Sequence, residues 1–327
     1  MTVTAIVVAY DDGDVLQRCV DALRADGVDV VVVNNGGPVD VTGARVVEAG
    51  RNLGFGGGCN LGAASTDAGV LVFVNPDAVV RPGAVAALAR RLEDTEIGVA
   101  QARLRLLDEP ELLNSAGNVV HLSGLAWPGG YRDHADSVDA VRDVAYASGA
   151  AFAIRAETFD RVGGFTEELF LYQEDLELSW RARLAGLRVV VEPEADVLHD
   201  YVLERGDRRK EYYLERNRLV FLLTAYSGRL LALLAPVILC IEAGIVVLAA
   251  RDGWWREKAR GWLWLARNVP WLVERRRRTQ ALRVVADREL ARYLTPTLDP
   301  RMLELPRNVA VVNAVVAAWW RGARVLL

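Results

Sequence analysis

Cysteine is scarce in this chain of 327 residues: Cys19, Cys59 and Cys240 are odd in number, widely spaced and without a Cys-x-x-Cys pair. That pattern excludes a disulfide framework and a structural zinc site, and it fits a reducing compartment. Two phosphate-binding patterns are also missing. A dinucleotide fold needs Gly-x-Gly-x-x-Gly directly after its first strand, where this chain has Tyr10-Asp11-Asp12, and no P-loop Gly-Lys-Ser/Thr occurs. Met1 leads into the apolar run 3–9 with no basic segment and no small-residue cleavage site, which predicts a cytoplasmic amino-terminal part. Net charge is low as well, at −4, yet 52% hydrophobic residues make the chain far too apolar for intrinsic disorder.

The low net charge conceals an uneven distribution. Between Arg251 and Arg278 nine basic residues face three acids, a local +6 that leaves −10 for the rest. Seven of the nine tryptophans (Trp254, Trp255, Trp262, Trp264, Trp271, Trp319 and Trp320) lie in the same carboxy-terminal third. The two ends of the chain are built for different surroundings.

What is present at the amino-terminal end is an alternation of buried strands and amphipathic helices. Residues 3–9 and 28–33 are β-branched runs typical of strands covered on both faces, and 14–25 carries apolar residues on one helical face. The alternation continues with a strand at 45–48, a glycine-rich turn at 54–58, a helix near 59–66, a strand at 70–74, a helix at 82–93 and a strand at 97–104. Residues 108–143 read as an irregular, partly β excursion. A strand at 144–154, a helix at 174–185 and a strand at 187–191 follow, and beyond Arg208 the pattern is helical. The expected fold class is α/β, a mostly parallel sheet flanked by helices, with domains at 1–208 and 209–327.

Ligands of open α/β sheets bind beyond the carboxyl ends of the strands. There the sequence places Tyr10-Asp11-Asp12, Asn34-Asn35-Gly36-Gly37 and Asn75-Pro76-Asp77. Tyr10 can stack on a base, the amides of Asn34 and Asn35 can hydrogen-bond it, and Asp77 suits a hard divalent cation that also holds phosphates. The combination suggests a nucleoside diphosphate.

Three strings, Asn52-Leu53-Gly54-Phe55-Gly56-Gly57-Gly58-Cys59-Asn60, Asn75-Pro76-Asp77, and Ser148-Gly149-Ala150 through Gly163-Gly164-Phe165 to Tyr172-Gln173-Glu174-Asp175, resemble the family 2 glycosyltransferases, in particular their rhamnosyltransferase-like branch. The resemblance covers about residues 3–220. It implies a GT-A fold, inverting chemistry and a nucleotide-sugar donor. Carried over by position, Asp77 is the metal ligand of an Asp-x-Asp element whose first acid is Asn75 here. Glu174-Asp175 is the acidic pair, with Asp175 the general base, and His199 is a second metal ligand. The cation implied is Mg²⁺ or Mn²⁺. Tyr10, Asp12, Asn34, Asn52, Gly54, Phe55, Asn60, Asn75, Asp77 and Arg216 are the implied donor-binding residues. Asn34 stands where many members have a base-reading aspartate, and thymine and uracil present the same imide edge, so dTDP- and UDP-sugars both remain open.

In the last third, residues 230–250 contain one charge, Glu242, in a run long enough to span a bilayer. The tryptophans and arginines after it are those of helices lying in an anionic membrane interface, the alternative being a helical subdomain or a contact with a second copy of the chain. No nucleic-acid motif accompanies the basic stretch. The expected activity is metal-dependent, inverting transfer of a single sugar to a lipid-linked or cell-envelope glycan acceptor. It takes place on the cytoplasmic face of the membrane, with the enzyme peripheral or held by one hydrophobic anchor. The processive Gln-x-x-Arg-Trp string is absent. The rival reading is a non-catalytic scaffold that binds a nucleotide sugar at the membrane, a reading that Asn34 and Asn75 sustain.

Overall fold

The fold is taken from a computed structural model that describes residues 2–201, 208–301 and 309–327. The chain divides into two compact units. One comprises Met1–Asn118, Pro128–Arg183 and Leu187–Leu203; the other comprises Val119–Trp127, Leu184–Gly186 and Glu204–Leu327.

In chain order the elements begin β1 (Val3–Ala9), α1 (Gly13–Ala25), β2 (Asp29–Asn34), β3 (Arg45–Glu48), α2 (Gly54–Ala64), β4 (Val70–Val74), β5 (Ala78–Val80), α3 (Ala84–Arg91) and β6 (Ile97–Leu106). They continue with β7 (Leu113–Ser115), β8 (Asn118–His121), β9 (Ala126–Pro128), β10 (Arg142–Asp143), β11 (Ala151–Arg155), α4 (Ala156–Val162), α5 (Glu174–Leu184) and β12 (Arg188–His199). The main sheet runs β10-β12-β6-β11-β4-β1-β2-β3, with β5 beside β12 and β7 beside β6. β3, β2, β1 and β4 are parallel, as are β6 and β12, while β11 enters antiparallel between β4 and β6.

Alternate residues of the central strands serve opposite cores, as the two-residue period of a strand requires. Val7, Val32 and Val72 pack with Leu16, Val20 and Leu23 of α1 and Val85 and Leu88 of α3. Ile6, Val8 and Phe73 face the other way, toward Cys59 of α2, Phe159 of α4 and Leu178 of α5. This double burial is why the strands read as continuous apolar runs.

Three elements differ from the sequence expectation. The glycine-rich stretch 54–58 is the first part of α2, not a turn. Its glycines let the helix lie directly on the sheet: a Cβ on Gly58 would stand 2.7 Å from Val8 Cγ1, and one on Gly62 would collide with Ile6. The expected strand 144–154 shrinks to β11, because side chains take its upstream amides. Ala147 N–H donates to Ser179 Oγ (3.1 Å), Ser148 N–H to Gln101 Oε1 (2.8 Å) and Gly149 N–H to Asp175 Oδ2 (2.9 Å). The expected strand 187–191 extends to His199. Pro193 lacks an N–H and the ladder slips between Glu192 and Asp196, after which β12 pairs again with β6 and, antiparallel, with β5.

The second unit contains α6 (Arg208–Ala225), α7 (Gly228–Arg251), α8 (Trp255–Arg267), α9 (Val269–Ala281), α10 (Asp287–Leu290), β13 (Leu294–Thr295) and α11 (Val309–Ala323). β13 pairs with β8. Ser227 caps α7, its hydroxyl accepting the Leu230 N–H at 2.9 Å. Glu242, the lone acid in the apolar body of α7, is not exposed to an apolar environment unpaired. It meets Arg218 of α6 and Lys258 of α8 (2.6 Å) and accepts a hydrogen bond from Trp262 Nε1 (3.0 Å). Glu215 joins the same two cations, at 2.8 Å from Arg218 and 2.5 Å from Lys258. Burial alone would raise the Glu215 carboxyl, but the two cations hold it below its ordinary value.

The close approach of α2 to β1 generates a stability test. Gly58→Val should lower the unfolding free energy by about 1–3 kcal/mol through overpacking, read as a shift in the urea midpoint. Gly37→Ala, a position with nothing near its would-be Cβ, is the control. An unshifted midpoint for Gly58→Val would show that the helix can lift off the sheet.

Candidate active site

Strands β1, β2 and β4 deliver the three polar clusters to one edge of the first unit. Tyr10 is 53% exposed, with Gly36 backing it so closely that a Cβ there would lie 2.9 Å from Tyr10 Cδ2. Asp12 Oδ2 accepts the Tyr10 N–H at 2.5 Å. Burial raises the Asp12 carboxyl, the Tyr10 N–H counters it, and the charges of Asp77 and Asp11 push it further up.

The amide of Asn34 is already committed. Its Oδ1 accepts the Gly36 N–H (3.2 Å) and its Nδ2 donates to Glu48 Oε2 (2.8 Å). The carbonyl expected to read the base is therefore occupied, and a carboxylate at the end of β3 stands beside it. Nothing in the motif strings pointed to Glu48. The register Asn34↔Glu48 between β2 and β3 is what brings it there.

Asn52 and the buried Asn35 lock the loop into α2. Asn35 Nδ2 donates to Asn52 Oδ1 (3.2 Å) and to Gly54 O (3.0 Å), while Asn35 Oδ1 accepts the Leu53 N–H (2.7 Å) and Asn52 Oδ1 the Gly54 N–H (2.8 Å). Gly54 sits at φ +73°, where a side chain would run into the Phe170 carbonyl. Phe55 donates its N–H to that same carbonyl (2.8 Å) and packs edge-on against Phe165, 5.9 Å between centroids. The Asn60 amide is spent within the protein, bracketing Phe165 through both its N–H (2.8 Å) and its carbonyl (3.0 Å) and meeting Glu167 (3.0 Å).

Asn75 enters through its backbone: its N–H donates to Ala150 O (2.9 Å) and its carbonyl accepts the Ala78 N–H (3.1 Å), a turn that carries Asp77. β12 pairs His199 with Ala78, one residue beyond Asp77. The result is His199 Nε2 at 3.2 Å from Asp77 Oδ1, both atoms buried and without a hydrogen-bond partner. His199 Nδ1 faces Asn114 Oδ1 at 2.9 Å.

Glu174 and Asp175 open α5 at the end of a strained loop. Phe170, Tyr172 and Gln173 all have φ between +65° and +67°, conformations that cost on the order of 1–3 kcal/mol each for residues with side chains. Asp175 Oδ2 accepts the Gly149 N–H and Oδ1 the Leu176 N–H at 2.7 Å. The Ser148-Gly149-Ala150 segment thus touches Asp175 at one residue and the Asn75 turn at the next. Burial pushes Asp175 up to about 6 against the pull of those N–H groups. Burial and then the charge of Asp175 push Glu174 higher, to about 8, and Glu174 Oε2 has no partner.

Arg216 belongs to the second unit. Its guanidinium lies over Trp264 (4.7 Å) and Tyr213 (5.0 Å), and its Nε donates to Asn217 Oδ1 (2.9 Å).

The raised Glu174 pKa has a consequence for stability. An unfolded glutamate loses its proton near about 4.3, whereas in the fold it keeps it to about 8. The stabilisation present at low pH is therefore lost progressively as pH rises from one value to the other. Glu174→Gln removes this titration, so its melting temperature should fall less than that of the wild type between about pH 5 and pH 8. Parallel melting curves would refute the assignment.

Residues 2–219 match the glycosyltransferase-like family 2. An N-acetylglucosaminyl-diphospho-decaprenol L-rhamnosyltransferase of Mycobacterium tuberculosis (strain ATCC 25618 / H37Rv) is 26% identical over 265 residues, covering 68% of this chain and 84% of the relative. A mannosyltransferase from Pyrobaculum calidifontis, solved with GDP-Man and Mn²⁺, superimposes over 99% of this chain and 86% of its own, with a TM-score of 0.50 at 17% identity. GalNAc-T7, solved with UDP, GalNAc and Mn²⁺, gives a TM-score of 0.57 at 16% identity over 71% of this chain, which spans only 50% of that protein. The strings at 52–60, 75–77 and 148–175, the edge they build and the family match agree: the chain belongs to the glycosyltransferase-like family 2 and is a glycosyltransferase of the GT-A fold.

Proposed function

We propose that this glycosyltransferase performs metal-dependent, inverting transfer of a single sugar, rhamnose or another hexose, from a dTDP- or UDP-linked donor to a lipid-linked or cell-envelope glycan acceptor. The observation that carries the proposal is the pair Asp77 Oδ1 and His199 Nε2, 3.2 Å apart and unpartnered. A carboxylate oxygen and an imidazole nitrogen held that close call for a proton or a cation between them, and the geometry suits the cation. Two ligands at right angles on a cation with bonds of about 2.0–2.2 Å stand about 3 Å apart, so the pair fits a small divalent ion. Among the described residues no group of three or more His, Cys, Asp and Glu side chains could hold a metal. A protein that offers two ligands and leaves the rest to phosphate and water suits Mg²⁺ or Mn²⁺. Bound there, the cation would offset charge building on the leaving diphosphate.

The remaining roles follow from the protein groups. Tyr10 stacks on the base, and Asn34 with Glu48 borders its polar edge. Asp175 removes the proton of the acceptor hydroxyl as that oxygen attacks the anomeric carbon opposite the diphosphate, which inverts its configuration in one displacement. Glu174, whose carboxyl is pushed upward by burial and by the charge of Asp175, favours its neutral form and so keeps a second negative charge away from that base. The relative from Mycobacterium tuberculosis supports rhamnose and a polyprenyl-diphosphate acceptor, since both stand in its name.

The second unit supports work at a lipid surface. Gly228–Arg251 and Val309–Leu326 are long and apolar enough to cross a membrane by length and composition. Leu239 and Val247 on α7, Trp255 on α8 and Val311 and Val315 on α11 are exposed. Arg256, Arg260, Arg267 and Arg275 through Arg278 supply charge complementary to anionic headgroups. With Glu242 paired to α6 and α8, α7 is best read as lying in the interface of the cytoplasmic face.

Asp175→Asn should lower kcat by about 10²–10⁴ while leaving donor binding intact. Wild-type kcat should fall on the acid side with a midpoint near about pH 6. Turnover with a panel of dTDP-, UDP- and GDP-sugars should require Mg²⁺ or Mn²⁺, and equal rates in excess chelator would overturn the metal role. In flotation, the full chain should rise with vesicles containing phosphatidylglycerol and stay down with phosphatidylcholine alone; no flotation with either would remove the membrane reading.

A further inference from the structure

His199 points one nitrogen at Asp77 and the other at a residue that no motif singled out. Asn114 lies in β7, only 2% exposed, and β7 pairs with β6 at Leu113 and Ser115 on either side of it. The register slips between these two pairs, so Asn114 sits at an irregularity of the ladder. β12 flanks β6 as well, with His199 opposite Leu106, and the backbone ties the three strands together. Leu106 N–H donates to Leu112 O (3.0 Å) and Leu107 N–H to His199 O (3.0 Å). Asn114 and His199 are held to β6 on a common frame, and their side chains meet at 2.9 Å.

The chemistry of that contact is asymmetric. Asn114 presents its carbonyl oxygen, which can only accept, so the proton of a neutral imidazole must reside on Nδ1. The lone pair is then left on Nε2, the atom 3.2 Å from Asp77 Oδ1. The opposite tautomer would put Nε2–H against Asp77 and satisfy that carboxylate, but it would set the Nδ1 lone pair against the Asn114 oxygen. Among the described residues the buried Nδ2 of Asn114 has no hydrogen-bond partner. The Tyr201 ring lies tilted beside the imidazole, 5.9 Å between centroids, and Tyr131 meets Tyr201 edge-on at 5.8 Å.

We propose that Asn114 is the positioning residue of the cation site: it fixes His199 as the Nδ1–H tautomer and aims the Nε2 lone pair at the space beside Asp77. This inference rests on the cation reading above. Carbonyl or carboxylate partners on the distal nitrogen are the usual means of orienting a metal-binding histidine, and losing one typically weakens metal binding about 10–100-fold.

The test uses the full chain, Mn²⁺ with UDP, and electron paramagnetic resonance to count free Mn²⁺. Asn114→Leu should weaken Mn²⁺ binding at least about tenfold, and Asn114→Asp, which still accepts from Nδ1–H, should restore most of it. A merely structural role would make the two variants alike. Imidazole ¹⁵N shifts give a second readout, independent of metal and of activity: His199 should be the Nδ1–H form in the wild type and in Asn114→Asp, and lose that preference in Asn114→Leu. Unchanged Mn²⁺ affinity and tautomer in Asn114→Leu, with His199→Ala weakened, would overturn the role of Asn114 and leave the cation site standing. Failure of the wild type to bind Mn²⁺ would instead bring down the cation reading, and this proposal with it.

Discussion

The carboxyl edge of the sheet depends on β12 resuming its ladder after Pro193. A proline in a strand removes one donor and usually ends the pairing. Here the chain skips from Glu192 to Asp196 in register against β6, and Arg103 and Arg105 grip the Asp196 carboxylate at 2.6 and 2.9 Å as it returns. Only because the strand continues does His199 come to lie beside Ala78, and hence beside Asp77. A strand that stopped where its apolar run stops, at Val191, would leave Asp77 without its neighbour.

The same point marks how far the sequence could be read. The runs at 3–9, 28–33 and 70–74 are legible because strands covered on both faces carry few polar positions to confuse the pattern. Tyr10, Asn34, Asp77 and the Glu174-Asp175 pair were visible from the ends of strands and from motif strings. β12 was cut short because a ladder that survives a proline through a bulge has no periodicity to see. The reading of 54–58 as a turn followed the usual meaning of glycine. It missed that glycine also serves where a helix must approach a strand more closely than any side chain allows. Glu48 and Asn114 were invisible for a third reason: each matters through one hydrogen bond, to a residue 14 and 85 positions away respectively.

Around the acidic pair, structure and strain are arranged together. Three residues of the loop 170–173 have positive φ, a local cost partly met by short turns in which Phe170 N–H donates to Glu167 O (3.0 Å) and Leu171 N–H to Leu169 O (2.7 Å). Gly54, pressed against the Phe170 carbonyl, and Phe55, donating its N–H to it, hold the loop from the side of α2. Asn60 holds Phe165 in the same way. The stretch 52–60 therefore acts on the acidic pair through the backbone of a distant loop, in addition to any contact with a donor.

The paired charges on α6, α7 and α8 have a consequence for ionic strength. Glu215, Glu242, Arg218 and Lys258 cancel one another, and all but Glu242 are nearly inaccessible to water. Dissolved ions screen such a buried group poorly, whereas exposed arginines such as Arg277 and Arg278 are screened within a Debye length of about 8 Å at physiological salt. On the proposed membrane role, salt would loosen this unit's hold on an anionic surface without loosening the helices that form it, so that attachment and folding would answer to separate controls.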